Sequence, residues 1–210
     1  MKKFALALVL VAMTAGIATA QEDNFSFGAK VGFDITHFWG KDIGHKVQPN
    51  YQAGLFIEYR ATRNFAIAPE VVFAAQGGKE AISVGTAEAK FEATEKYNTN
   101  YINVPVMFKF YATDDFSIDF GPQVGFNVYS KSTTKLDLKG KALPEGLNEK
   151  YTTNYKDATN TVDFGLGLGC TYNLSDNAFV QARYTLGLTK VFKGVDAKNG
   201  NAQIAFGYRF

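Results

Sequence analysis

The sequence predicts an all-β fold: eight antiparallel strands closed into an up-and-down transmembrane β-barrel, behind an N-terminal signal peptide. Three observations predict it. Residues 25–36, FSFGAKVGFDIT, alternate without a break between apolar (Phe25, Phe27, Ala29, Val31, Phe33, Ile35) and small or polar positions, the period of two that marks a strand. The pattern recurs seven more times, and an even number of such strands closes as a barrel. The links between them are alternately short and long, so every tight turn falls at one end and every long link at the other, the asymmetry of outer-membrane barrels.

The first 20 residues stand apart. Lys2 and Lys3 begin the chain, Phe4 to Ala12 is an apolar run too short to span a bilayer, and Ala18-Thr19-Ala20 is a small-x-small cleavage site. This is the pattern of a secretory signal peptide rather than of a membrane anchor. The expected domains are residues 1–20, cleaved, and residues 21–210, one barrel. Gln21, not Cys, follows the cleavage site, so a lipoprotein is not expected. Removing Lys2 and Lys3 from the 22 basic residues leaves 20 against 20 acidic ones, with none of the basic excess of a nucleic-acid binder. Cys170 is the single cysteine, so no intramolecular disulfide forms.

The remaining strands follow in order: 51–60 (YQAGLFIEYR), 65–75 (FAIAPEVVFAA), 101–111 (YINVPVMFKFY), 116–129 (FSIDFGPQVGFNVY), 161–174 (TVDFGLGLGCTYNL), 178–189 (AFVQARYTLGLT) and 201–210 (NAQIAFGYRF). Tight turns are expected at 61–64, 112–115 and 175–177, and long loops at 37–50, 76–100, 130–160 and 190–200. Pro69, Pro105 and Pro122 each remove a ladder donor inside a strand, so a bulge or local widening is expected at each.

The two faces decide between a soluble and a membrane barrel. None of the eight apolar faces carries Asp, Glu, Lys or Arg, as a lipid-facing surface requires, since Lys or Arg at the midplane costs roughly 2–4 kcal/mol. Ten of the 20 glycines, among them Gly28, Gly32, Gly165, Gly167, Gly169 and Gly207, sit on the opposite face. Glycine weakens an exposed strand but fits the narrow lumen of eight strands. A soluble lipocalin-like barrel would turn the phenylalanines inward and the glycine and charge outward. The inner face also carries five bases, Lys30, Arg60, Lys109, Arg183 and Arg209, and five acids, Asp34, Glu58, Glu70, Asp119 and Asp163. Buried charges need partners, so these ten are expected to form an ionic and hydrogen-bonded lumen core. A wide aqueous pore is not expected at eight strands.

Phe25, Tyr59, Phe65, Phe110, Phe116, Tyr172 and Phe210 fall at the short-turn end of the apolar face, as an aromatic girdle does. Trp39 lies just past the first strand at the other end. GLGLG at 165–169 sits mid-strand with no helix after it, unlike a phosphate loop. His37 and His45 bracket Asp42 in the first long loop, and two histidines without a close third ligand are a weak metal signal. Ser83 and Ser132 are the loop serines an outer-edge lipid-modifying enzyme would pair with a histidine. Sequence spacing links neither to one, and no enzymatic activity, metal or cofactor is expected. Cys170 falls on the apolar face as a small hydrophobe. KSTTKLDLKGK at 131–141, offset by Asp137, Glu145 and Glu149, reads as a solvated loop whose lysines also suit lipopolysaccharide phosphates.

The stretches FGAKVGFD, YINVPVMFKFY, VDFGLGLGCTY, ARYTLGLTKV and the closing AFGYRF together resemble the small outer-membrane β-barrel family of Bacteroidota, the PorT-like or OmpX/OmpA-like eight-stranded barrels. The resemblance covers essentially all of 25–210. Phe210, with Tyr208 and Phe206 at alternate positions before it, resembles the C-terminal signal read by the outer-membrane assembly machinery, which implies insertion by that machinery. The expected protein is therefore integral to the bacterial outer membrane and in contact with its lipid and lipopolysaccharide. The long loops would be extracellular, both termini periplasmic, and the barrel a monomer. Its expected role is a structural anchor displaying surface loops for an unknown ligand or for envelope integrity. A narrow small-solute channel, a secretion-system accessory and, last, an outer-membrane lipid-modifying enzyme are the alternatives.

Overall fold

The structure, a computed structural model, describes residues 24–41, 46–85, 89–140 and 149–210, without the side chains of 81–85, 89–92, 136–140 and 149. The signal peptide, Asp42, His45, Glu145 and the side chains of Ser83, Asp137 and Glu149 lie outside the described residues. Among the described residues nine strands are present: β1 (Phe25–Trp39), β2 (Gln48–Thr62), β3 (Phe65–Gly85), β4 (Ala89–Tyr111), β5 (Phe116–Gly140), β6 (Glu149–Asn154), β7 (Val162–Asn173), β8 (Ala178–Gly187) and β9 (Lys198–Arg209). Eight of them bond in a ring, β1-β2-β3-β4-β5-β7-β8-β9, every neighbour antiparallel. The ring closes where β1 pairs with β9, from Gly28 opposite Arg209 to Trp39 opposite Lys198.

The alternation along each strand becomes inside and outside. Val31, Phe33 and Ile35 are exposed on the outer wall, while Lys30, Asp34 and Thr36 between them are buried. The outer wall carries the large apolar side chains around the ring, among them Leu55, Phe73, Phe120, Leu168, Ile204 and Phe206. At the short-turn rim the aromatics cluster: the Phe25 and Tyr59 rings lie 4.6 Å apart, Phe65 and Phe110 5.1 Å, and Phe27 and Phe210 5.4 Å. Across the two neighbouring turns there, exposed Arg63 and Asp114 pair at 3.0 Å. The bidentate hydrogen bond from Arg63 holds the Asp114 carboxyl below its usual range.

Two long links expected as loops are largely strand. The β3–β4 ladder runs on to Gly85 opposite Lys90, and the β4–β5 ladder to Ala89 opposite Gly140. β2 leaves β3 at Ala74, and β7 leaves β5 at Phe126. Past those points β3, β4 and β5 continue without their barrel neighbours, and β6, absent from the expected eight, adds to β5 from Lys131 to Leu136. The result is a sheet reaching roughly 35 Å from the long-link rim at ~3.3 Å per residue. Period-two apolar alternation fades in 76–100 and 130–140 because neither face of this sheet meets lipid. The polar ladder AKFEATEKYNTN, residues 89–100, therefore resembles a loop in sequence and pairs as a strand.

Of the two alternatives expected at the prolines, a bulge or a local widening, the ladders show the widening. No register shift occurs at Pro69, Pro105 or Pro122. Instead the pairing lapses over two residue pairs beside each: 57–58 against 68–69, 70–71 against 104–105, and 106–107 against 121–122, with register kept on both sides. A missing N–H removes a bond without requiring an extra residue. The two bulges lie at the rims, between Arg60 and Thr62 and where Asn100 and Tyr101 meet β5, the usual place for bulges in barrels.

Gly28 and Gly207 make room for rings inside the barrel. A Cβ at Gly207 would lie 2.1 Å from the Phe179 ring, and one at Gly28 2.6 Å from that of Phe56. These rings meet edge to face at 5.4 Å in the lumen. Gly207→Val should evict Phe179 and destabilise the barrel by about 1–3 kcal/mol, read as a lower urea midpoint in lipid vesicles. The wild-type barrel, closed all round, should migrate differently in SDS before and after boiling, and the variant should lose that shift at a lower temperature.

Candidate functional site

The lumen gathers polar side chains from all eight ring strands. At mid-height, β1, β3 and β8 place Lys30, Glu70 and Arg183 together. The Lys30 ammonium donates to Glu70 Oε2 at 2.6 Å, and the Arg183 guanidinium grips both carboxylate oxygens at 2.9 and 2.7 Å. All three are buried. Lys30 also donates to Gln181 Oε1 at 3.0 Å, and the Gln181 amide donates onward to Asp119 at 3.2 Å. Asp119, wholly buried, accepts from the hydroxyls of Ser117 and Thr171 as well.

Nearer the short-turn rim, Glu58 is the second anionic centre. Lys109 donates to it at 2.9 Å and Tyr111 through its hydroxyl at 2.5 Å, and Arg209 stands 3.8 Å away. Arg60, half-buried, lies 3.9 Å over the Tyr111 ring, and Arg209 lies 4.7 Å over that of Phe179. Such cation–π contacts substitute in part for a missing anion. A vestibule of about 330 Å³ opens below this layer, lined by Arg60, Tyr111, Asn173 and Arg209 among others.

The ten expected lumen charges therefore do not pair one to one. Glu58 and Glu70 each hold two cations. Asp34, Asp119 and Asp163 accept from neutral donors: Asp34 from Asn201 at 3.4 Å, and Asp163 from Thr189 and from Asn199 at 2.8 Å. The physical reason is height. The five bases lie at mid-height or nearer the short turns, where their salt bridges go to Glu58 and Glu70, whereas Asp34 and Asp163 lie toward the long-link rim. By formal count the ten charges balance, with the bases in excess nearer the short turns and two acids toward the long-link rim. Gln181, Thr171, Ser117, Asn199 and Asn201, not singled out from the sequence, complete the network. Their signal was the inward parity they share with the charges.

The long-link rim is closed differently. Phe38, Val191 and Ala197 are buried together, with Tyr97 and Phe192 packed against them. Phe38 meets Phe192 at 5.4 Å and Tyr97 at 6.2 Å, each edge to face. Burial, with a hydrogen bond to Glu95, pushes the Tyr97 phenol up. His37 and Trp39, expected in or beside the first loop, belong to β1 and face outward. Cys170 is half-buried in β7. GLGLG runs through the middle of β7, which continues to Asn173 without a helix. Among the described residues no group of three His, Cys, Asp or Glu side chains is placed to hold a metal ion. Phe206, Tyr208 and Phe210 point outward at the short-turn rim, and the Phe210 N–H donates to the Phe27 carbonyl at 2.9 Å.

A closed eight-strand ring, apolar outside and ionic within, is the wall of a membrane barrel, and residues 19–193 match the family model described as outer membrane protein beta-barrel domain. The chain belongs to that family. This barrel is therefore a protein of the bacterial outer membrane, in contact with its lipid. Among solved structures it resembles Ail, the attachment invasion locus protein of Yersinia pestis, at 14% identity and a TM-score of 0.50 over 90% of this chain and 100% of that one. Ail in complex with the heparin analogue sucrose octasulfate gives 16% identity and a TM-score of 0.48 over 89% and 99%. Neisserial surface protein A gives 12% and 0.43 over 90% and 100%. No match was found among curated proteins.

Glu70→Gln strands Lys30 and Arg183 in the lumen without an anion. It should destabilise the barrel by about 3–5 kcal/mol, measured by urea unfolding in lipid vesicles. Asp114→Asn, at the exposed turn pair, should leave the midpoint unchanged.

Proposed function

We propose that this outer-membrane barrel is a sealed anchor that carries a stiff β-sheet away from the membrane, for binding a surface ligand or supporting envelope integrity. The carrying observation is the pairing of β3, β4, β5 and β6 beyond the ring. A sheet held on continuous ladders presents its side chains in fixed positions, which lowers the ordering cost of binding. The filled lumen supports the anchor over the channel: Lys30, Glu70 and Arg183 meet across it, Glu58, Lys109 and Arg209 block it again below, and Phe38 with Phe192 covers the far end.

In this reading residues 1–20 direct export and are removed. The long-link rim and its sheet are extracellular, and both termini are periplasmic. Short turns on the periplasmic side are the rule for such barrels. Phe206, Tyr208 and Phe210 serve as the C-terminal assembly signal, and the barrel works as a monomer in contact with lipopolysaccharide.

In a planar bilayer the folded barrel should pass no more current than the leak, and steady open steps would replace the anchor with a narrow channel. Protease added to intact cells should cut within residues 130–160 and spare the turn at 112–115. Cleavage only after the outer membrane is opened would invert the orientation.

A further inference from the structure

The outer wall carries a depression of about 410 Å³, walled by Phe33 and Ile35 of β1 on one side and Leu168 and Tyr184 on the other. Its floor is Ala182 and Ala202. The register explains its shape. Across the wall, Ile35, Ala202, Tyr184 and Leu168 stand in one row, and Phe33, Ile204, Ala182 and Cys170 in the next. The small side chains step from Ala202 of β9, between Ile35 and Tyr184, to Ala182 of β8, between Ile204 and Cys170, and leave a trough that crosses the two strands diagonally. Its walls stand high, with Phe33 81% exposed and Leu168 63%.

One row further toward the long-link rim the trough changes character. A Cβ at Gly200 would lie 2.6 Å from His37 Nε2 and 3.1 Å from the Tyr184 hydroxyl, so imidazole and phenol both lie over that glycine and close the trough. In the next row Trp39 faces Lys198, whose ammonium lies 4.6 Å over the indole. The indole N–H donates to the Asn199 carbonyl at 3.0 Å, fixing the ring. An apolar trough thus ends in an ammonium, an imidazole and a phenol, at the depth where a tryptophan marks the membrane boundary.

We propose that this trough is a binding site for lipopolysaccharide: one acyl chain crosses β9 and β8 over Ala202 and Ala182, and a phosphate of the glycolipid head is held by Lys198 with His37 and Tyr184. Two observations choose the occupant. The trough is continuous with the wall that meets lipid, and the polar groups at its end carry the charge that complements a phosphate. The choice of lipopolysaccharide over phospholipid rests on the orientation proposed above, which puts this rim in the outer leaflet.

The test uses the full barrel in phosphatidylcholine nanodiscs, titrated with purified lipopolysaccharide. Trp39, the single tryptophan, reports by its emission, and native mass spectrometry counts lipid retained per barrel. The wild type should give a saturable change and retain the glycolipid. Lys198→Glu should weaken apparent affinity at least tenfold. Ala202→Phe, which fills the trough from the outer wall and leaves the lumen untouched, should abolish saturation. Ala53→Phe, on the outer wall of β2, should behave as wild type. All variants should keep the heat-dependent SDS shift, which separates lost binding from lost folding. The site is overturned by an unsaturable titration, by phosphatidylglycerol matching lipopolysaccharide at the same concentration, or by Ala202→Phe and Ala53→Phe behaving alike. A nanodisc exposes both rims, so these outcomes judge the trough alone, and cell-surface proteolysis judges the orientation.

Discussion

The rest of this structure depends on ionised side chains being satisfied inside a wall that cannot carry them. Lipid contact excludes Lys, Arg, Asp and Glu from the outer face below the rims, and period-two geometry then sends the charges of the membrane-spanning stretches inward. A buried charge without a partner costs several kcal/mol. The ring must therefore close in the register that brings Glu70 to Lys30 and Arg183, residues 40 and 113 positions away in sequence. A slip of one residue in any strand would turn its charges into the membrane and its phenylalanines into the lumen. Register, closure and ion pairing are one constraint.

That constraint also sets what fills the remaining space. Eight strands enclose a bore that side chains can just fill, so large inward residues require small ones opposite. Phe56 lies over Gly28 and Phe179 over Gly207, each across a strand pair. The glycine gives up strand propensity, and the ring that covers it restores the packing. The Phe179 ring also receives the charged ends of Lys109 and Arg209, at 5.7 and 4.7 Å. The apolar and ionic parts of the lumen are thus stacked in contact rather than segregated.

What was legible in the sequence follows from which regions feel two different solvents. The membrane-spanning parts of β1 to β5 and β7 to β9 see lipid on one face and packed polar groups on the other, so their alternation was plain, and so was the inward placement of all ten charges. Their partners were not legible, because pairing depends on height in the lumen: nothing local in sequence says that Asp163 meets Asn199 and Thr189 instead of a base. The outer halves of β4 and β5 and all of β6 have similar polar surroundings on both faces. Their strand character rests on backbone ladders, which leave no periodic mark. His37 was misplaced for a related reason. It continues the outward series Phe33, Ile35 as a polar residue at the membrane's edge, where apolar alternation stops before the strand does.

The bulge on β5 joins these two regimes. Asn100 pairs with Tyr129 and Tyr101 with Asn127, so Val128 is the extra residue. Before it the inward positions of β5 are odd, at Ser117, Asp119, Gln123 and Asn127; after it they are even, at Ser130 and Ser132. Val128 and Tyr129 are consequently both exposed at the rim, where one residue of each parity can meet lipid or its boundary. Within a few residues β5 gives up β7 and takes β6, so the strand never loses its backbone partner on either side for long. A flexible joint there would need unpaired backbone at the membrane surface, and the bulge avoids it with one residue. The projecting sheet is for this reason a continuation of the barrel wall, and its orientation is set by the same ladders that the lumen charges hold in register.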